Sequence, residues 1–347
     1  MSLITNLITD KETISFDLTN EVKKPIKIAY ANALRQIIIS RPKIYYIDEH
    51  SSVFYDSYDA NTILNDEFLK DRLKLIPIRS DLNIDYENIK VTCKKENTDE
   101  NMISVYVKDF IFTNEKTNEI IDTNMICKYP DILFTKLRHN GKISFESRLR
   151  KSNQIHQGSG CSSVAGCVYT FKIDMKKVNE ILKTLTEKEQ SEFMTQEVER
   201  HYERNENGEP YVYQFSYESI GCYDCIDILK FSLHILIEKL NELKEEFNNE
   251  NSEKITLIDE KEDDEIDFYY FNVENESDLV GNLLRSYMGL DENVFYAGYV
   301  IPHVLKKNVI LKFKLNENNT LKNMLSTITK TLDYLIELTN ECLDNVK

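Results

Sequence analysis

Two stretches far apart in the chain share one pattern of apolar and polar positions. In "ANALRQIIIS", Ala31 to Ser40, the apolar residues Ala31, Leu34 and Ile38 step three and then four apart. Ile37 and Ile39 widen the stripe beyond one face, so the spacing predicts a helix with much of its surface covered. In "GNLLRSYMGL", Gly281 to Leu290, Asn282, Leu284 and Arg285 repeat Asn32, Leu34 and Arg35 at one constant offset. The echo extends to "IYYI", Ile44 to Ile47, against "VFYA", Val294 to Ala297.

Around these helices the pattern predicts further elements. "ISFDLTN", Ile14 to Asn20, alternates and reads as a strand. The first helix, from about Ile26 to Ser40, ends at Arg41-Pro42, because the residue before proline is pushed out of the helical region. A strand about "KIYYIDEHSSVF" follows. In "NDEFLKDRLKLIPI", Asn65 caps a short helix whose first turn sets Asp66 and Glu67 at the positive end of the dipole. Phe68, Leu69 and Leu73 supply its buried side, and Pro77 closes it. From Ile89 to Asp174 the chain is strand-rich, and "HNGK", His139 to Lys142, predicts a hairpin between two alternating runs. The polar stretch 186–210 reads as an exposed excursion or a loosely packed helix.

The strongest periodicity lies further on. Ile226, Leu229, Leu233, Leu236, Leu240, Leu243 and Phe247 step by alternating threes and fours, which lays one continuous seam for a partner helix. A second long helix, from Thr320 to the end, answers it with Leu321, Leu325, Ile328, Leu332, Leu335 and Cys342. Between the two, residues 249–265 are charged and polar and read as a linker. Both ends of the chain thus hold a strand, an N-x-L-R helix, another strand and a long apolar helix. Two such units invite pseudo-twofold packing, since each fully buried Leu or Ile contributes ~1.5–3 kcal/mol. The core of that packing is expected at Leu34, Ile37, Ile38, Leu229, Leu233, Leu236, Leu240, Leu284, Leu325, Ile328 and Leu332.

Composition narrows the function. The chain has 347 residues, 41% hydrophobic and 29% charged, with a net charge of −16, which argues against a nucleic-acid groove over most of its surface. No basic n-region with an apolar run opens the sequence, and no apolar run nears the ~20 residues that span a bilayer. Seven cysteines, an odd number, fit a reducing compartment, and a soluble intracellular protein is expected.

With the motifs in view, "IAYANALRQIIISRPKIYYID" followed by "TILNDEFLKDRLKLIPIRSD" resembles the large alpha-like component of DNA-dependent RNA polymerases. That family includes the third subunit of eukaryotic polymerase II, its archaeal counterpart and the bacterial alpha N-terminal domain. Its N-[AS]-L-R-R motif is matched by Asn32, Ala33, Leu34 and Arg35, with Gln36 in place of the second arginine. Its D-E-F-[IL]-x-x-R-[LI]-x-x-I-P-[IL] motif is matched by Asp66, Glu67, Phe68, Leu69, Arg72, Leu73, Ile76, Pro77 and Ile78. The C-terminal part resembles the small alpha-like partner, the eleventh subunit of polymerase II and its archaeal counterpart. Gly281, Asn282, Leu284 and Arg285 match its G-N-x-[LI]-R, while Ser277, Asp278 and Leu279 depart from the preceding D-H-T.

The resemblance implies an α+β fold in which the alpha-like dimerisation unit occurs twice in one chain. The large unit would comprise 1–45 and 169–248, interrupted by an inserted mainly-β domain at 46–168. After the linker 249–265, the small unit would be 266–347. It implies an assembly-platform subunit without catalytic residues or cofactors, meeting the largest and second-largest polymerase subunits and small assembly subunits, and DNA only through the complex. Asn32, Arg35, Asp66, Glu67, Phe68, Arg72, Asn282 and Arg285 would be the subunit contacts. Fusion of both units resembles the polymerases of large cytoplasmic DNA viruses, which implies host cytoplasm and virion as locations. The four-cysteine zinc loop of many third subunits is missing, since "VTCKKENTDEN" holds only Cys93.

One other class competes. "CYDC", Cys222 to Cys225, invites a metal or thiol-redox reading, but zinc wants four ligands and no second C-x-x-C exists. Structural cysteines are the commoner outcome. No phosphate-cradling glycine motif occurs. The acidic run Asp259 to Asp267 reads as a solvated spacer, and Lys136, Arg138, Lys142, Arg148, Arg150 and Lys151 as a subunit contact or solvated face.

Overall fold

The computed structural model describes residues 2–10, 12–20, 24–55, 63–249, 251–258, 268–303 and 305–346. The acidic run 259–267 therefore lies outside the described residues.

The chain opens with an antiparallel pair, β1 (Ile4–Thr9) and β2 (Thr13–Thr19). In β2 the alternation works as read, with Ile14, Phe16 and Leu18 buried. Helix α1 (Ile28–Ser40) follows, burying Ala31, Leu34, Ile37 and Ile38. The strand expected over residues 43–54 is broken into β3 (Ile44–Ile47) and β4 (Val53–Phe54). The cause is a turn at Asp48, whose carbonyl takes the hydroxyls of Ser51, Ser52 and Ser147 while its carboxylate accepts from His50 N. In α2 (Asp66–Lys74) Asn65 Oδ1 accepts from Phe68 N at 3.1 Å, the cap the sequence indicates. The buried side is narrower than expected. Leu69 and Leu73, one turn apart, hold it, whereas Phe68 is 61% exposed.

The middle of the chain runs β5 (Ile89–Glu96), β6 (Ile103–Tyr106), β7 (Ile111–Asn114), β8 (Ile120–Ile121), α3 (Thr123–Ile126), β9 (Leu133–Leu137), β10 (Lys142–Ser152) and α4 (Gln154–Gln157). The turn at "HNGK" is present, with Asn140 at φ 57° and Gly141 N donating to Arg138 O. Its two strands, however, do not form the expected hairpin, because β9 pairs with β6 and β10 with β5. Buried Asn97 explains the divergence. Its amide Nδ2 donates to the carbonyls of Asn101, Leu137 and Arg138, and its backbone N donates to Gly141 O.

β11 (Val164–Phe171), α5 (Met175–Leu182), α6 (Glu187–Gln196) and β12 (Val212–Ser219) lead into α7 (Cys225–Asn248). The last part comprises β13 (Ile255–Ile258), β14 (Tyr269–Glu274), α8 (Asp278–Met288), β15 (Val294–Val300), β16 (Asn308–Leu315) and α9 (Leu321–Asp344). Four of the 249–265 residues expected to be linker are thus strand: β13 pairs with β14 from Ile255↔Val273 to Ile258↔Tyr270.

Sheet order organises the whole. One antiparallel sheet runs β1-β2-β12-β11 and another β13-β14-β16-β15. Each therefore reads first, second, fourth, third strand, with a helix between second and third and a long helix after the fourth. A further sheet runs β3-β10-β5-β7-β8, with β4 also on β10, and β6 pairs with β9. Two sequence expectations shift here. "IYYI" is β3 of this middle sheet, while "VFYA" opens β15; the third-strand place in the first sheet belongs to β11. The expected boundaries at 45/46 and 168/169 fall inside β3 and β11, so the sheets divide nearer 44 and 163.

One continuous core joins the first and last sheets through α1, α7, α8 and α9, from Leu3 to Val346. A separate core, Ile47 to Leu149, fills the middle sheet.

Candidate functional site

Four of the chemistry-bearing residues of the sequence, Asn32, Arg35, Asn282 and Arg285, lie on two helices, α1 and α8, each lying on its own sheet and against the other. Leu34 and Leu284 point into the shared core and are essentially fully buried. One turn of side chains away, Asn32 and Arg35 sit at the core's margin, where Asn32 Oδ1 accepts from the Tyr169 hydroxyl of β11 at 3.2 Å. Arg35 lies beside Tyr169 and Cys167; burial pushes the Cys167 thiol up to about 12, and the guanidinium opposes that rise. On α8, Arg285 similarly lies beside Tyr299 of β15, whose hydroxyl donates to Asp278. Burial and Asp278 push that phenol up to about 12, again opposed by the arginine. Each arginine thus stands against the third-strand tyrosine of its own sheet. Neither is in an ion pair with a described residue, and Arg285 is exposed. Asn282 is half-buried and receives the Ser286 hydroxyl at 3.5 Å. Such donors, held by a packed helix, suit a partner's carboxylates or carbonyls.

Behind them the seam closes. Ile37 and Ile38 fill the inner face of α1, which meets α7 and α8, while α7 meets α9. Lys244 Nζ pairs with Asp333 and Thr329 Oγ1 donates to Asn248, so α7 and α9 run antiparallel. Leu236, Leu240, Leu284, Leu332 and Leu335 converge with no room between them for a water molecule. Leu229, Leu233 and Ile328 are likewise buried in this core. Leu325 is only half-buried at its edge, and Leu321 is 37% exposed. The α9 face holds the expected Ile328 and Leu332 with Met324 in place of Leu325, and Thr327, Thr331 and Thr339 are also buried, each bonding the carbonyl one turn back.

Polar ties cross the same seam. The buried Tyr30 hydroxyl donates to Thr339 Oγ1 at 3.1 Å, and Tyr287 donates to Pro25 O while accepting from Lys27 N. Glu276, its side chain 1% exposed, lies between Lys239 of α7 and Lys254 just before β13. Sequence reasoning missed this cluster. The available signal was Lys239, a cation set between Leu236 and Leu240 of the apolar seam.

The other expected contacts are not brought to this place. Asp66, Glu67, Phe68 and Arg72 ride on α2, over the middle core. Arg72 Nη2 donates to Leu133 O at 2.6 Å, fixing α2 on β9, and Glu67 and Phe68 face outward. In the basic cluster, Lys142, Arg148 and Arg150 are paired with Glu96, Glu115 and Asp48. An open groove of about 660 Å³ lies where α1 ends, between Arg41, Lys43 and Lys151 and the Phe231–His234 face of α7.

Cys222 and Cys225 do not face a common site. Cys222 is packed with Ile44, Tyr46 and Cys161, and burial pushes its thiol up to about 12. Cys225 opens α7 and donates to Glu12 O at 2.9 Å. Raised thiols are protonated thiols, the reverse of what a metal ligand or redox nucleophile needs. Among the described residues no group of three or more His, Cys, Asp or Glu is arranged to hold a metal ion, and no helix is long and apolar enough to cross a membrane.

Residues 269–344, from the first residue of β14 to the last of α9, match the family model of the RNA polymerase Rpb3/Rpb11 dimerisation domain. This part of the chain therefore resembles that dimerisation domain from β14 to α9. The chain is also similar to the DNA-directed RNA polymerase II subunit rpb11 of Dictyostelium discoideum, at 35% identity over 65 residues. That stretch covers 19% of this chain and 52% of the relative, so the chain spans about half the length of the curated relative it matches.

Proposed function

We propose that the chain is a non-catalytic assembly-platform subunit of a multisubunit DNA-dependent RNA polymerase, with two alpha-like units and an inserted β domain in one polypeptide. The observation that carries this reading is the repeated strand order: β1-β2-β12-β11 and β13-β14-β16-β15 share one core, and β14, β15 and β16 of the second lie within the Rpb3/Rpb11 match. In this reading Arg35 and Arg285, neither in an ion pair with a described residue, face the largest and second-largest subunits together with Asn32 and Asn282. Glu67 and Phe68 form a separate contact on the inserted domain. Small assembly subunits would join the same platform, and DNA would be met only through the complex. The fusion accords with the polymerase of a large cytoplasmic DNA virus, acting in the host cytoplasm and carried in the virion.

The test is reconstitution. Sedimentation of the two largest subunits with and without this chain is expected to show a joint complex only in its presence, and Arg35→Glu combined with Arg285→Glu is expected to abolish it. A complex that assembles and transcribes normally without the chain would overturn the assignment. The competing metal or thiol-redox reading has no observation in its favour, since both thiols of "CYDC" are buried and raised.

A further inference from the structure

In a chain of net charge −16, the hairpin 294–315 runs against the average: it holds His303, Lys306, Lys307, Lys312 and Lys314 and no Asp or Glu. Its first strand, β15, is the last of its sheet, and among the described residues nothing pairs with its outer side. Such an edge presents a row of backbone N–H and C=O groups that can receive another strand. Protected edges are short, charged or covered. β15 spans seven residues, "VFYAGYV", none of them charged. It opens on a bulge at Phe295, and from Tyr296 to Val300 its register with β16 is unbroken.

Apolar side chains stand uncovered along this edge: Phe295 is 61% exposed, Val300 54%, and Leu305 just beyond it 86%. The topologically equivalent edge, β11, shows only Val168 in that condition. The outer face of the sheet adds positive charge. Lys312 Nζ lies 4.1 Å from the Phe268 ring centroid and Lys314 Nζ 5.5 Å from that of Phe295. Tyr296 meets Phe268 edge-on at 5.5 Å. Nucleobases stacking here would have to displace ammonium groups from the ring faces, whereas carboxylates would join them.

We infer that β15 receives an extended segment of a partner polypeptide as an additional strand, one that carries both apolar residues and Asp or Glu on the face it shares with Val300 and Lys314. Main-chain hydrogen bonds supply the affinity, and the side chains on that one face supply the selectivity, apolar ones against Phe295 and Val300 and acidic ones toward Lys314. The inference rests on the strand edge and its charge and is independent of the polymerase reading.

The test uses the full chain and a fluorescently labelled peptide with Val and Glu by turns at every second position and Thr between them, with Lys in place of Glu as the charge control. Two further acidic peptides carry backbone N-methyl groups on every second residue, one in each phase. A strand added to a single edge uses the N–H groups of one phase only. The acidic peptide is expected to bind at least about tenfold more tightly than the lysine peptide, and Lys314→Glu is expected to weaken it by about fivefold. Methylation in one phase is expected to cost at least about tenfold and in the other little, since only one set of N–H groups bonds to the edge. Val300→Glu, a change on an exposed position that removes apolar contact and adds like charge, is expected to weaken binding as well. Equal loss from both methylation phases would overturn strand addition. So would tighter binding of an oligo-dT strand competing with the peptide, or self-association of the chain through residues 295–300.

Discussion

Gly281 stands where the first N-x-L-R helix has Ala31, and the difference is steric. A Cβ at 281 would lie 2.5 Å from Tyr299 Cδ2 and 3.0 Å from Val309 Cγ1, so α8 seats against its sheet more closely than a side chain permits. Gly281→Ala is expected to cost about 1–3 kcal/mol through overpacking, read as a lower urea midpoint with an unchanged slope. A wild-type midpoint would mean that the Tyr299 ring swings clear. The cysteines offer a second residue-scale test. Burial lifts Cys93, Cys167, Cys222 and Cys342 to about 12, from an ordinary value of 9.0. Native protein at pH 8 should therefore react with a thiol reagent only as it unfolds, while denatured protein reacts at once. Because the folded-state values lie above the unfolded one, this contribution to stability is complete below pH 9 and is lost as pH rises toward 12. Rapid modification of Cys222 in the folded chain at pH 8 would contradict its packing.

At the scale of elements, α7 is joined to the last sheet by charge as well as by leucines. Glu276 separates two ammonium groups, Lys239 and Lys254, and is almost wholly out of water. Glu276→Gln is expected to destabilise the chain by about 3 kcal/mol, because the cations lose their shared counter-charge in a buried place. Adding Lys239→Met should recover part of the loss, and urea titration of both variants decides. A cost for Glu276→Gln below about 1 kcal/mol would show the cluster to be effectively solvated. Which elements were legible follows from their physics. The helices α1, α7, α8 and α9 were readable because a buried face on a long helix imposes a three-four spacing. β13 was not, because four residues flanked by charge carry too little alternation to stand out from a linker. The hairpin at "HNGK" misled because turn chemistry is local, whereas pairing was decided by Asn97, some forty residues earlier. Of the candidate site, Leu34, Arg35, Leu284 and Arg285 were readable from the repeat. The outward turn of Phe68 was not, since motif residues and core residues look alike in sequence.

At the scale of the molecule, the first and last sheets are held by one core rather than by the connection between α7 and β13. Separate chains 1–249 and 251–347, co-expressed, are expected to co-purify as a 1:1 complex by light scattering. A C-terminal piece beginning at residue 268 leaves the edge of β14 bare, and should associate more weakly or aggregate. If both longer pieces stayed apart at micromolar concentration, the shared core would be wrongly described. The same core sets an order in time. Tyr30 bonds to Thr339, Ile4 N to Asn345, and Lys24 to Glu341, so the opening of the chain is completed by its end. On a ribosome, Leu34 and Ile38 emerge early, and although β11 and α7 cover α1 in part, the rest of its cover waits until α8 and α9 are made. At roughly 5–20 residues per second that wait is on the order of tens of seconds. Through it part of the α1 face has only its own sheet and α7 to cover it, and a ribosome that stalls before α9 releases a chain with the rest of that core bare.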